Sequence, residues 1–149
     1  MFYADAPEYY TSIKDAALEL REEFEDREEL IVIGLRTDQN PNEVPLHEMI
    51  LEEALLHTGS PTQGDYLRWQ YKEYACGISG TYNPKTGFYS LVLKYNVTYY
   101  TSKAQEKALD IQVEKLLDQL NVYKADDYHK VCAIYDYMCQ TIRYDTEGL

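Results

Sequence analysis

Long hydrophobic runs are missing from this chain. The longest is Leu30–Leu35, six residues counting Gly34, against the roughly 18–20 that a helix needs to cross a bilayer. No membrane span is expected. Basic residues are few, with 14 Lys and Arg against 26 Asp and Glu, a formal charge of −12. Such a chain is repelled by phosphate backbones and anionic lipid surfaces, so neither nucleic acid nor a peripheral membrane surface is an expected partner. Proline and glycine are sparse, at 5 and 7, and 45% of residues are apolar. Disorder as the main state is thereby excluded. Cysteine is limited to Cys76, Cys132 and Cys139. An odd count without CxxC spacing suggests neither a disulfide framework nor a zinc knuckle. No basic segment leading into an apolar one stands at Met1, so no secretory signal is visible, and the compartment stays open.

What the chain has in excess is tyrosine, 16 against 3 Phe and 1 Trp. Tyrosine suits half-buried sheet surfaces and shallow interfaces. At 149 residues the chain is long enough for one ordinary domain with a sizeable core.

Periodicity outlines the elements. Ser12 followed by Asp15 resembles a capping box, and Ile13, Ala16, Ala17, Leu20 and Phe24 recur at helical spacing, which predicts a helix near 12–27. Leu30–Leu35 reads as a strand covered on both faces. Turn residues Thr37–Asn42 follow. Pro45 opens a second helix with the stripe Leu46, Met49, Ile50 and Ala54, closed by Gly59. A loose strand is expected over Tyr66–Ile78. A clean one is expected over Phe88–Tyr100, with Tyr89, Leu91, Leu93, Tyr95, Val97 and Tyr99 on one face and Ser90, Lys94, Asn96 and Thr98 on the wet one. Gly80–Gly87 links the two strands as a hairpin. Two helices complete the chain, one capped by Ser102 and the other by Asp126 or Asp127. The order α, β, α, β, β, α, α indicates an α+β fold: a small antiparallel sheet with a tyrosine-rich hairpin, flanked by about four helices.

Chemistry is harder to find. His47 and His57 lie ten positions apart on one expected helix, about 15 Å along its axis, too far to share a metal. His129 stands three before Cys132, so the two side chains can meet. Mid-helix N–H groups offer no oxyanion donors there, which makes the pair a poor nucleophilic dyad. Cys132, Cys139 and Cys76 read as small hydrophobes. No phosphate-binding glycine motif occurs. Asn96-Val97-Thr98 is a formal glycosylation sequon. The residues assign no catalytic, cofactor-binding or metal site.

The last third carries a resemblance. A helix running from Thr101-Ser102-Lys103-Ala104-Gln105-Glu106 to Leu116-Leu117-Asp118-Gln119-Leu120-Asn121 precedes Asp127-Tyr128-His129-Lys130-Val131-Cys132-Ala133-Ile134-Tyr135-Asp136-Tyr137-Met138-Cys139, then Ile142-Arg143-Tyr144-Asp145. This resembles the approach to the catalytic core in bacterial transglutaminase-like proteins of Firmicutes type. Gly64-Asp65-Tyr66-Leu67-Arg68-Trp69 and the hairpin ending in Tyr99-Tyr100-Thr101 resemble the same proteins more loosely. The resemblance implies papain-like acyl transfer or hydrolysis by a Cys–His–Asp triad, in a parent that is an acyltransferase or a cysteine peptidase. Its nucleophile follows the Tyr-Asp element, so the triad is expected beyond Leu149, and none of Cys76, Cys132 or Cys139 matches it. The chain is then expected to be a non-catalytic N-terminal region. Residues 1–122 would be an accessory domain and 123–149 the first helix of the core, with a structural or substrate-positioning role. Expected partners are the remainder of its own catalytic domain, a protein substrate, and a second copy through the C-terminal helix. A cell-surface or extracellular parent fits this reading. The alternative is a free-standing protein- or glycan-binding module that presents Tyr71, Tyr74, Tyr89, Tyr95, Tyr99, Tyr100 and Trp69.

Overall fold

The computed structural model describes residues 7–143. These fall into two units, 7–103 and 104–143, each compact in itself.

In the first unit, strand β1 (Tyr9–Tyr10) leads into helix α1 (Ile13–Glu25) and strand β2 (Leu30–Thr37). Helices α2 (Leu46–Ala54) and α3 (Asp65–Gln70) follow, and then the hairpin of β3 (Tyr71–Asn83) and β4 (Phe88–Tyr99). The sheet order is β1-β2-β4-β3. β2 and β3 both run antiparallel to β4, while β1 lies parallel to β2, with Tyr9 opposite Gly34. The fold is therefore α+β, as the element order implies. Its sheet is mixed rather than antiparallel throughout, because a two-residue strand gives no periodicity to read.

Helix α1 forms where the spacing places it. The Ser12 hydroxyl accepts from the Asp15 backbone N–H at 3.0 Å and donates to the Asp15 carboxylate at 2.7 Å. This closes the first turn. Ala16, Ala17, Leu20 and Phe24 are buried against Ile31, Ile33 and Leu35 of β2 and Leu91, Leu93, Tyr95 and Val97 of β4, in one cluster. Each large side chain among them is worth about 1.5–3 kcal/mol of apolar burial. The helix ends without glycine. Arg27 N–H bonds Phe24 C=O at 3.1 Å and Glu28 N–H bonds Glu23 C=O at 3.0 Å, with Arg27 at φ +59°. That is a Schellman ending with a non-glycine residue in the left-handed region. Arg21 joins α1 to α2. Its guanidinium donates to the carbonyls of Ala54 and Glu53 at 2.7 and 2.9 Å, which satisfies the exposed end of α2 and opposes its dipole.

Three expectations change here. β2 is covered on one face only: Ile31, Ile33 and Leu35 are buried while Leu30 and Val32 are exposed, because the sheet carries α1 and α2 on a single side. The second helix stops at Ala54, five residues short of Gly59, and Leu51 rather than Met49 joins its buried stripe. Residues 65–70 form α3 rather than strand. Arg68 N–H bonds Gly64 C=O at 3.0 Å, Leu67 is buried, and Trp69 is 78% exposed. The alternation of Leu67, Trp69 and Tyr71 imitates a strand over too few residues to separate the two periods.

Gly34 and Gly80 are dictated by close approach. A Cβ on Gly34 would lie 2.4 Å from the Glu8 carbonyl oxygen of the segment entering β1, and one on Gly80 would lie 2.2 Å from the Ser90 oxygen.

The second unit is a helical hairpin of α4 (Lys103–Gln119) and α5 (Asp127–Thr141). α4 closes in a second Schellman ending, with Asn121 at φ +52°. Its bonds run from Asn121 N–H to Asp118 C=O at 3.0 Å and from Val122 N–H to Leu117 C=O at 3.4 Å. Asp126 is the cap of α5, accepting from His129 N–H at 3.0 Å.

Candidate functional site

The sequence supplies three cysteines and three histidines as raw material for chemistry. The fold separates most of them. Cys76 sits on β3, half-buried, and its thiol donates to the Gly77 carbonyl at 3.8 Å. Burial pushes its thiol up to about 11, which leaves it protonated and unreactive near neutrality. His47 lies on α2 and His57 beyond it, since the helix ends at Ala54. The two therefore do not share a helix as expected. The Nδ1 of His47 is buried without a hydrogen-bond partner. Among the described residues no group of three His, Cys, Asp or Glu side chains converges as a metal site, and no helix is long and apolar enough to cross a membrane.

The nearest approach to a catalytic series is on α5. The Asp126 carboxylate contacts the His129 Nδ1 at 2.7 Å, and Cys132 stands one turn further on. The residue types match a thiol–imidazole–carboxylate series, but the arrangement serves the cap. The His129 backbone N–H and then its ring hold the Asp126 carboxyl below the usual carboxylate value. All three groups follow one helix, Asp126 and His129 exposed and Cys132 half-buried, where interior N–H groups are committed to the helix. The geometry caps a helix and offers an oxyanion no donor.

The tyrosines take two environments. Tyr95 is fully buried and its hydroxyl donates to the His47 carbonyl at 2.9 Å. Tyr99 donates to the Glu28 carbonyl at 3.1 Å and lies 5.2 Å under the Arg27 guanidinium. Phe24 meets Tyr71 and Tyr99 edge-on at 5.7 and 5.9 Å, the geometry that aromatic quadrupoles favour. Tyr74 packs between Tyr71 and Tyr95. The rings of the hairpin therefore spend their area on the core. Trp69, Tyr82, Phe88 and Tyr100 are the large aromatics exposed in this region. Asn96, the sequon residue, is exposed on the open face of the sheet.

The most extensive exposed apolar surface of the second unit belongs to the hairpin. No residue of α4 or α5 is buried. Val131, Ile134, Tyr135, Met138 and Ile142 recur at helical spacing along α5 and are exposed, as are Leu109, Ile111 and Val113 on α4. A shallow hollow of about 280 Å³ runs between the helices beside Leu109, Val113, Leu116 and Tyr137. Helical spacing makes this stripe legible in the sequence, and the resemblance implies that the remainder of a catalytic core covers it; spacing itself reveals a face and not what covers it. Comparison with protein-family models, curated proteins and solved structures finds no match.

Proposed function

We propose that this chain works by contact rather than by catalysis, as the non-catalytic accessory portion of a transglutaminase-like protein. In this reading the α4–α5 hairpin docks against the catalytic core, and the α+β unit is structural or positions a protein substrate beside it. The observation that carries the reading is the uncovered apolar stripe of α5. Two amphipathic helices with no buried residue are poorly held by their own packing, and contiguous exposed apolar surface marks an interaction site. The resemblance of residues 127–145 to the approach of that core supports this choice of partner. A display role for the tyrosine-rich hairpin is less favoured, because Tyr71, Tyr74, Tyr95 and Tyr99 pack on the core cluster.

Substitutions in the native assembly test the proposal. Val131→Asp with Met138→Asp is expected to abolish acyl-transfer or hydrolytic activity of the assembly while the α+β unit keeps its unfolding midpoint. Unchanged activity with an intact complex would overturn it.

A further inference from the structure

The two edges of the sheet are built differently. β1 offers a ladder of two residues. β3, at the other end of the order, runs for 13 residues and has β4 as its one strand neighbour among the described residues. Exposed edges are normally guarded by short length, charge, proline or a bulge. From Tyr74 to Asn83 there is no charged residue and no proline. The register with β4 is continuous from Glu73 to Asn83, and the irregularity lies before it, between Tyr71 and Glu73. Ala75, Gly77, Ser79 and Thr81 alternate along the open face and are exposed. None is large enough to block a neighbouring backbone.

On the other face an added strand would meet a built cleft. α2 lies over β4, where Tyr95 reaches the His47 carbonyl, so its flank turns towards β3. Glu48, Leu51 and Glu52 of α2, Leu55 just past its end, Arg68 of α3, and Tyr71 and Tyr74 at the start of β3 border a cleft of about 200 Å³. The apolar members suit an aliphatic stem. Two carboxylates stand along α2, and the single guanidinium stands at the α3 end. Burial, followed by the Glu48 carboxylate, pushes the Tyr74 phenol above its ordinary value, so the phenol stays neutral and the charge at the cleft is that of the side chains lining it.

We propose that the β3 edge takes up an extended segment of another protein as a fifth strand, and that the α2–β3 cleft selects a Lys or Arg on that segment. Main-chain hydrogen bonds would supply the attachment, and the alternate side chain entering the cleft would supply the choice. A second copy of this chain fits the same edge less well. Pairing two β3 strands about a two-fold axis puts both helix layers on one side, in chains of charge −12 each. Like charges facing across an interface oppose it. The proposal does not depend on the hairpin docking described above.

The test uses the whole chain and a capped nine-residue peptide of alternating threonine and valine with one central lysine. Backbone amide exchange and titration are read together. The lysine peptide is expected to slow exchange along β3. A central glutamate in the peptide, or Glu48→Gln with Glu52→Gln in the protein, is expected to weaken binding by about tenfold or more. Methylating the central backbone nitrogens of the peptide is expected to abolish binding, since it removes strand pairing and keeps the charge. Equal binding of the lysine and glutamate peptides, or no peptide-dependent protection of β3, would overturn the proposal. So would sedimentation showing a dimer with β3 amides already protected, which would assign the edge to a second copy.

Discussion

Tyr95 carries two duties in one side chain. Its ring fills the core between α2 and β3, and its hydroxyl satisfies the His47 carbonyl at 2.9 Å. Tyr95→Phe keeps the ring and removes that second bond to a helical carbonyl, so a loss of about 1 kcal/mol is expected, read as a lower urea midpoint at unchanged slope. Gly80→Ala tests a different constraint, since its Cβ would sit 2.2 Å from the Ser90 oxygen and 2.9 Å from the Leu91 Cα. Backbone on both sides must shift, and a loss of about 1–3 kcal/mol is expected. The thiols should separate by environment. Cys76, with a thiol pushed up to about 11, is expected to alkylate at pH 8 far more slowly than the exposed Cys139. Mass mapping of a timed labelling reaction reads this directly.

Elements show where sequence patterns inform and where they fall silent. α1 was legible because cap and stripe agree: Ser12, Asp15 and the series Ala16, Ala17, Leu20, Phe24 all point to one helix. The alternating faces of β4 were legible for the same reason. The ends of the first and fourth helices fall where their stripes stop, although Arg27 and Asn121 take the left-handed place where a glycine would have announced the stop. α3 was misread because six residues hold too little periodicity, and β1 because two residues hold none. The tie from Arg21 to α2 links residues about 30 positions apart and has no local signature. Arg21→Ala is expected to cost about 1–2 kcal/mol by freeing the α2 carbonyls, seen as faster amide exchange in the last turn of α2. The start of α5 should respond to acid. The Asp126 carboxyl is held below its ordinary value by the His129 N–H and ring. Its contribution to the helix is therefore fully present above the ordinary carboxylate range and is lost as pH falls through the lowered value. Asp126→Asn should flatten that acid limb, measured by α5 amide exchange between pH 5 and pH 2.

At the scale of the whole molecule, the candidate site was only half legible in the sequence. The stripe Val131, Ile134, Tyr135, Met138 and Ile142 is plain as a pattern, yet exposure is a property of the folded chain and no spacing encodes it. The open β3 edge was hidden for a related reason, since strand order decides which strand has a single neighbour. In the proposed reading both surfaces serve contact. The measurement that tests this most directly is amide exchange of α4 and α5 in the native assembly, isolated with an antibody against the α+β unit, beside the same helices in the 17.4 kDa chain alone. The account predicts strong added protection across Val131–Ile142 in the assembly, together with a Cys–His–Asp acyl-transfer centre in the protein that covers it. Equal exchange in the two samples, with no such centre present, would contradict it.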